Sequence, residues 1–195
     1  MVAHRDELID LVRRKGLITR DVADFRLSSG EWSRDYIDGK RALSDGADLA
    51  LACDAVIACA AELGVEFDAV GGLTMGADPI AHGVALISGV PWFSVRQEPK
   101  RHGDPKLVEG AALSPGVRVL VVDDVTTTGS SILRALEAVR GEGAEVVAAI
   151  ALVDRGEATR VKLVAAGVPY QPLLTYHDLE IEPVGGVAHA ETAGL

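Results

Sequence analysis

One stretch near the middle of the chain decides the fold, and it reads Val119-Leu120-Val121-Val122-Asp123-Asp124-Val125-Thr126-Thr127-Thr128-Gly129-Ser130-Ser131. Its first residues belong to the run 117–122, which is apolar apart from Arg118 and is typical of a strand that is covered on both faces. Two acids follow, then hydroxyl side chains around one glycine, and a helical pattern begins at Ser130. A buried strand that leads through a loop into a helix is the repeating unit of parallel α/β sheets.

Strands and helices alternate on both sides of this stretch. We expect helices at residues 6–15, 45–63, 79–87, 130–140 and 160–166, and strands at 67–71, 91–95, 117–122 and 145–153. The alternation predicts an α/β fold with a doubly wound, mostly parallel sheet flanked by helices. Ligands of such sheets bind beyond the carboxyl ends of the strands.

The remaining segments are expected to form a small hood and a tail. Residues 25–38 are polar and contain several aromatics, which predicts a strand, a turn and a second strand. We therefore divide the chain into an N-terminal helix and hood (1–44), a core (45–178) and a C-terminal tail without a strong pattern (179–195).

The amino-acid composition limits the kinds of partner that the protein is expected to bind. Of 195 residues, 29 are acidic and 19 are basic, so the net charge is −10. A general nucleic-acid surface is not expected, because phosphate binding needs a basic face. The most apolar stretches contain acids or are too short to span a bilayer, and the N-terminus has no signal-peptide core. We expect a cytoplasmic protein with no nucleic-acid and no membrane partner.

The loop after the central strand has the chemistry of a sugar-phosphate site. Backbone N–H groups at a helix start, together with Thr and Ser hydroxyls, can surround a phosphate monoester, and Gly129 lets the backbone approach it closely. Asp123 and Asp124 can accept hydrogen bonds from a ribose diol or influence the position of a bound metal ion. The loop is neither a P-loop nor a dinucleotide fingerprint. The alternative interpretation is an Asp helix cap before an ordinary Thr-rich turn.

At these residues the chain resembles the type I phosphoribosyltransferases, whose diphosphosugar motif is an apolar strand, two acids and a Thr/Gly/Ser loop. Four further segments resemble the orotate phosphoribosyltransferases within that family. They are the base-side segment (25–30 with Ser33, Tyr36, Ile37, Asp38 and Lys40), the pyrophosphate loop (71–79), the mobile basic loop (Arg96, Lys100, His102 and Gly103) and the strand end 153–155. The chain departs from the family pattern at Gln97, where the family usually carries a lysine, and at Ser28 and Met75, where some members carry one.

The resemblance implies a reaction and a set of site residues. Orotate and 5-phosphoribosyl 1-diphosphate (PRPP) would give orotidine 5'-monophosphate and pyrophosphate, a step of pyrimidine biosynthesis. The implied catalytic residues are Lys100, His102, Asp123 and Asp124. The implied PRPP-binding residues are Thr74, Arg96, Asp123, Asp124, Val125, Thr126, Thr127, Thr128, Gly129, Ser130 and Ser131. The implied orotate-binding residues are Ser29, Gly30, Tyr36, Thr127 and Arg155.

The same resemblance implies one cofactor and one partner. Mg²⁺ is expected to arrive with the diphosphosugar, held mainly by substrate and water rather than by direct protein ligands. A homodimer is expected, in which the mobile loop reaches the neighbouring subunit's site.

The leaving pyrophosphate is a strong anion and the ribose carbon becomes cationic, so catalysis should be mostly electrostatic. Arg96, Lys100 and His102 are the candidates to neutralise the leaving group. Alternatively, Lys100 is a solvated surface charge. Arg155 follows a buried strand and needs a partner there; that partner is either the substrate carboxylate or a structural acid such as Asp154.

Two other functions compete with orotate transfer. One is a phosphoribosyltransferase that acts on another base, such as a purine, although a purine has no carboxylate to pair with Arg155. The other is a catalytically inactive, diphosphosugar-sensing regulator. The neutral Gln97 favours that regulator, whereas the lack of a visible helix-turn-helix or basic arm opposes it.

Overall fold

The computed structural model describes residues 3–21, 24–27, 30–99 and 106–184. The helices are α1 (Arg5–Leu11), which continues into a π-helical turn (Val12–Gly16), α2 (Gly39–Ala42), α3 (Gly46–Glu62), α4 (Asp78–Ser88), α5 (Ser130–Gly141), α6 (Ala158–Ala165) and α7 (Tyr176–Leu179). The strands are β1 (Leu17–Thr19), β2 (Phe25–Arg26), β3 (Trp32–Ser33), β4 (Asp35–Ile37), β5 (Ala69–Leu73), β6 (Trp92–Val95), β7 (Val108–Gly110), β8 (Arg118–Thr126), β9 (Glu145–Asp154) and β10 (Tyr170–Thr175).

A six-stranded sheet in the order β10-β9-β8-β5-β6-β7 forms the centre of the molecule. All neighbours are parallel except β6 and β7, which are antiparallel. The predicted doubly wound, mostly parallel α/β sheet is therefore confirmed. Strand β8 pairs with β5 on one side and with β9 on the other, so its carboxyl end opens between two parallel neighbours.

The sheet is covered on both faces, as the apolar run predicted. Leu120 and Val122 of β8 belong to one core cluster, which also contains buried residues of α1, α3 and α4. Val119 and Val121 point to the other face, where buried residues of α5 and Leu163 of α6 cover them. Since successive strand residues alternate between faces, four consecutive buried apolar residues require a helix layer on each side.

Local sequence explains where two of the layer helices begin. The Asp45 carboxylate accepts a hydrogen bond from the Ala47 N–H at 3.1 Å and caps α3. Helix α5 follows Gly129, whose φ of 73° is a left-handed conformation that glycine adopts without steric cost.

The hood consists of two small antiparallel pairs outside the central sheet. Strand β1 pairs with β4, and β2 pairs with β3, so the expected strand, turn and strand between residues 25 and 38 is built from three short strands. The expected helix 6–15 is divided between α1 and the π-helical turn.

Several predicted boundaries were wrong. Strand β8 does not end before the acids but continues to Thr126, because its pairing with β9 extends through Thr126 and Asp154. Strands β7 and β10 were not predicted. The tail, for which the sequence shows no strong pattern, packs on the core in its described part: the Val184 N–H donates to the Arg155 carbonyl at 2.8 Å, and Val184 is buried.

The segment after β6 leaves and re-enters the sheet at one point. The Arg96 N–H donates to the Leu107 carbonyl at 2.9 Å, and β7 then pairs back onto β6. Within the described residues, no helix is long and apolar enough to cross a membrane.

Candidate active site

The carboxyl ends of β5, β8 and β9 surround one cleft together with the hood. Its volume is about 470 Å³. The described residues that line it are Arg26, Leu27, Tyr36, Ile37, Lys40, Leu73, Thr74, Met75, Gly76, Gln97, Asp123, Asp124, Val125, Thr127, Ser131 and Arg155. Residues from both the predicted sugar-phosphate loop and the predicted base-side segment therefore meet in a single site.

The acid pair forms the floor of this cleft. Asp123 and Asp124 are both buried, and each carboxylate accepts a hydrogen bond from the next backbone N–H, at 3.1 Å from Asp124 and 2.8 Å from Val125. Among the described residues Asp123 Oδ2 has no hydrogen-bond partner. Burial, and then the charge of Asp124, raise the pKa of Asp123 well above its usual range. One carboxylate oxygen is thus left for a ligand.

Two glycines allow other segments to touch the acid pair. A Cβ on Gly76 would lie 2.5 Å from Asp124 Oδ1 and 2.9 Å from Asp123 Oδ1. A Cβ on Gly39, at the start of α2, would lie 2.7 Å from Asp124 Oδ2. The missing side chains let the loop after β5 and the end of the hood approach Asp124 from two directions.

The hydroxyl loop lines a second, adjoining cleft of about 380 Å³. Its described lining residues are Asp123, Val125, Thr126, Thr127, Thr128, Gly129, Ser130, Ser131 and Lys162. The Thr128 and Ser130 hydroxyls lie 2.8 Å apart, and Lys162 Nζ donates to the Thr128 carbonyl at 2.6 Å. Hydroxyls, the start of α5 and a lysine ammonium around one concavity suit a phosphate monoester.

Thr126 differs from the rest of the loop. Its hydroxyl is buried and lies 2.9 Å from the Tyr170 hydroxyl, which donates to the Asp154 carboxylate at 2.9 Å. These contacts join the carboxyl end of β8 to β9 and β10. Burial raises the pKa values of Asp154 and Tyr170, so the phenol remains a donor. The side chain of Thr126 therefore holds the loop in place.

The loop after β5, predicted as the pyrophosphate loop, is held by a small polar network. Asp78 accepts hydrogen bonds from the Thr74 hydroxyl at 2.6 Å and from the Ser94 hydroxyl at 2.7 Å. The Gln97 amide donates to the Thr74 carbonyl at 3.2 Å, and the peptide bond between Thr74 and Met75 is cis. This network fixes the loop at the cleft edge.

Arg155 forms the wall of the cleft on the base side. Its guanidinium does not pair with Asp154, the structural acid named above as one alternative partner. Its guanidinium is 1% exposed and donates to the Asp35 carbonyl at 2.7 Å and to the Ser33 hydroxyl at 3.2 Å. Among the described residues its Nε has no partner. Burial lowers the pKa of Arg155, and the charge of Asp35 opposes that effect. The guanidinium is thus desolvated, with donor capacity remaining.

The other predicted site residues fall into three groups. Lys100, His102 and Ser29 lie outside the described residues. Tyr36 and Thr74 line the cleft as expected. Arg96 and Gly30 do not. The Arg96 side chain contacts the Glu98 carbonyl at 3.4 Å and Glu109 at 3.6 Å. Gly30 lies in an exposed turn with a φ of 89°.

Four cleft residues with a charged or amide side chain were not predicted as site residues: Arg26, Lys40, Gln97 and Lys162. Lys40 lay within the segment that resembled the base side, so its place in that motif was the available signal. Gln97 was interpreted as the loss of a lysine, whereas its side-chain amide donates a hydrogen bond to the Thr74 carbonyl. Lys162 lies in helix α6, more than thirty residues beyond the loop it touches, and no local sequence pattern indicates that contact.

The fold and this site define a phosphoribosyltransferase, and the model of the phosphoribosyl transferase domain matches residues 42–166. The orotate phosphoribosyltransferase of Aquifex aeolicus is 41% identical over 186 residues, covering 92% of this chain and 99% of the relative. That of Pyrococcus abyssi is 39% identical over 175 residues, covering 90% and 94%.

The comparison with solved structures also identifies phosphoribosyltransferases. The Mycobacterium tuberculosis orotate phosphoribosyltransferase in complex with PRPP superposes with a TM-score of 0.74 at 36% identity, covering 91% of this chain and 99% of the other. An adenine phosphoribosyltransferase from Thermoanaerobacter pseudethanolicus, at 20% identity and a TM-score of 0.63, shares the fold. The chain belongs to the orotate phosphoribosyltransferases, which transfer 5-phosphoribosyl from PRPP to orotate.

Proposed function

We propose that orotate binds in the larger cleft against Arg155, while PRPP spans the acid pair with its 5-phosphate in the hydroxyl loop. The observation that carries this proposal is the desolvated guanidinium of Arg155 in the same cleft as Asp123 and Asp124. Orotate has a carboxylate, and a buried guanidinium pairs with a carboxylate far more favourably than with a neutral base.

The hydroxyl loop binds the 5-phosphate in this proposal. Thr127, Thr128, Ser130 and Ser131 line the smaller cleft, where the start of α5 and Lys162 add positive character. Asp123 Oδ2 accepts from a ribose hydroxyl, since it is the buried carboxylate oxygen without a described partner. These contacts fix the ribose between the two clefts.

The reaction follows from this placement. The bond between the ribose carbon and the diphosphate oxygen breaks, the diphosphate leaves with the bonding electrons, and a carbon–nitrogen bond to orotate forms. The proton of that orotate nitrogen passes to the leaving diphosphate or to water. Because positive charge develops on the ribose, the carboxylates beneath it stabilise the transition state. Lys100 and His102 stay sequence-based predictions for the leaving group, and Arg96 needs to leave Glu109 to join them.

Magnesium is proposed as the cofactor that accompanies PRPP. Among the described residues no group of three or more His, Cys, Asp or Glu side chains forms a metal cage. The acid pair nevertheless offers hard oxygen donors, one of them unpartnered, that can accept hydrogen bonds from metal-bound water. When bound, magnesium neutralises part of the diphosphate charge.

A homodimer is also proposed. Large apolar side chains are exposed on and beside α4, namely Met75, Leu86, Ile87 and Trp92, with exposed fractions of 68%, 86%, 48% and 42%. Exposed apolar side chains, of which Met75 lines the cleft, suit an interface between copies of the chain. A cytoplasmic location is supported by the two free, buried cysteines, Cys53 and Cys59.

An absorbance assay tests the proposed function. Orotate, PRPP and Mg²⁺ are mixed with the enzyme, and we expect the orotate absorbance to fall with stoichiometric release of pyrophosphate. Hypoxanthine and adenine serve as competing bases and should give no product. Turnover of a purine alone would overturn the orotate assignment. Tight PRPP binding without turnover of any base would indicate a regulator.

A further inference from the structure

A lysine of the hood touches the acid pair and has no assigned role. Lys40 lies in α2, and its Nζ is 3.4 Å from Asp124 Oδ2. Its side chain is 49% exposed and lines the larger cleft, whereas that of Asp124 is 10% exposed. Among the described residues that line this cleft, Lys40 is the one lysine. Its ammonium therefore faces both the carboxylate and the open site.

Lys40 and the loop after β5 approach different oxygens of the Asp124 carboxylate. Lys40 contacts Oδ2, while Gly76 lies against Oδ1 so closely that a Cβ would be 2.5 Å away. That loop lines the same cleft as Lys40, through Thr74 and Met75. A diphosphate held on the cleft side of this loop would thus lie beside the carboxylate that the Lys40 ammonium contacts.

The charge balance of the site requires a cation at this point. A diphosphate above two carboxylates is repelled by them, and the repulsion is strong where water is excluded. The lining residues Met75 and Gln97, at the edge of the cleft, are neutral. The other cations that line this cleft are Arg26 in β2 and Arg155, whose guanidinium donates to the Asp35 carbonyl at 2.7 Å and to the Ser33 hydroxyl at 3.2 Å. Of these three described cations, Lys40 is the one that forms an ion pair with Asp124.

The protonation state of Lys40 agrees with this role. Burial lowers the pKa of Lys40, but the charge of Asp124 and the hydrogen bond to it outweigh that effect, so the pKa is raised. The side chain is therefore cationic over the whole physiological range.

We infer that Lys40 is a diphosphate-binding residue: its ammonium contacts the diphosphate of PRPP while it neutralises Asp124. This inference rests on the proposed function. It predicts that removing the Lys40 charge lowers binding affinity only for ligands that carry the diphosphate. A lysine that merely held Asp124 in place would instead matter equally for every ligand that reaches the ribose site.

Isothermal titration with two ligands separates these roles. PRPP and ribose 5-phosphate, each with Mg²⁺, are titrated into the wild type, Lys40→Met, Lys40→Arg and Arg41→Met. Arg41 is the matched control, because it neighbours Lys40 on α2 and does not line the cleft. We expect Lys40→Met to weaken PRPP binding by ~10-fold or more, the scale of one charge-assisted contact. Ribose 5-phosphate binding should change by less than ~2-fold, and Arg41→Met should change neither.

Other outcomes decide against the inference. Equal weakening of both ligands, or no weakening of PRPP binding by Lys40→Met, overturns it even if orotate turnover of the wild type stands. Lys40→Arg keeps the charge and should retain most of the affinity, which shows that a loss in Lys40→Met is not a folding defect. A wild type that neither binds PRPP nor consumes orotate would overturn the proposed function itself.

Discussion

The carboxyl ends of β8 and β9 lie side by side but form their halves of the site in opposite ways. The end of β8 supplies its functional groups from one continuous segment, Asp123 to Ser131, in which neighbours bond to one another. The end of β9 supplies one buried guanidinium, Arg155, and the hood completes its surroundings with Ser33 and Asp35 from more than a hundred residues earlier. The phosphate half is local, and the base half depends on tertiary contacts.

The base half should show the largest effect. Arg155→Leu removes the buried guanidinium, and we expect kcat/KM for orotate to fall by ~100-fold or more, the scale of losing one buried charged partner. PRPP affinity should stay nearly unchanged, which titration calorimetry measures. Arg155→Lys should be intermediate, since an ammonium lacks the planar fork. If both substrates lose affinity together, the two halves are not separate.

The close approach of the loop after β5 to the acid pair of the phosphate half is tested by a methyl group. In Gly76→Ala the Cβ would lie 2.5 Å from Asp124 Oδ1, so the loop or the carboxylate must move. Overpacking of this kind typically costs ~1–3 kcal/mol, and we expect kcat/KM for PRPP to fall by ~10-fold or more. Gly46→Ala is the matched control, because a Cβ there meets no atom within 4 Å. A Gly76→Ala enzyme with wild-type kinetics would contradict the described packing.

The half of the site formed by β8 contains a buried carboxylate, Asp123, whose charged form destabilises the folded state. Burial raises the pKa of Asp123 above its unfolded value, so the folded state binds the proton more tightly. Stability from this group is therefore present below the unfolded pKa and is lost as pH rises through the folded pKa. Asp123→Asn should raise the free energy of unfolding at neutral pH by ~1–3 kcal/mol while it lowers turnover. Urea unfolding at pH 5 and pH 8 measures the difference, which should be greater at pH 8; a less stable variant at both pH values would refute this.

The smallest effect is expected where the hood touches Arg155. Ser33→Ala removes one hydrogen bond to the guanidinium, worth ~0.5–1.5 kcal/mol, so KM for orotate should rise by ~3- to 10-fold with kcat nearly unchanged. Ser44→Ala is the control, since the Ser44 hydroxyl bonds the Arg41 carbonyl away from the cleft. Steady-state kinetics compare the two. A change in kcat alone would assign Ser33 another role.

This contrast also explains what could be predicted from the sequence. The apolar run of β8, the acids and the hydroxyl loop are contiguous, so the central strand, the helix after it and half of the site followed from local pattern. Strand β10 did not, because Pro172 interrupts its apolar run; an edge strand tolerates a proline since one side needs no partner. Strand β7 has three residues, which is too short to show an alternation of apolar and polar side chains.

The base half was predicted by resemblance alone. Arg155 was assigned to the orotate carboxylate, and the structure places it in the cleft, but its contacts with Ser33 and Asp35 span long sequence separations that no periodicity encodes. The place of Lys40 beside Asp124 was missed for the same reason. It depends on Gly39 allowing α2 to approach Asp124 closely.

The backbone hydrogen bond between Arg96 and Leu107 has a consequence for engineering. Because the chain leaves β6 and joins β7 at this hydrogen bond, the two ends of the intervening segment lie next to each other. The length of a segment between such ends adds only a logarithmic entropy term to folding. The segment can therefore be exchanged for that of a relative, and such a chimaera would reveal what it contributes to turnover without disturbing the sheet to which its ends are attached.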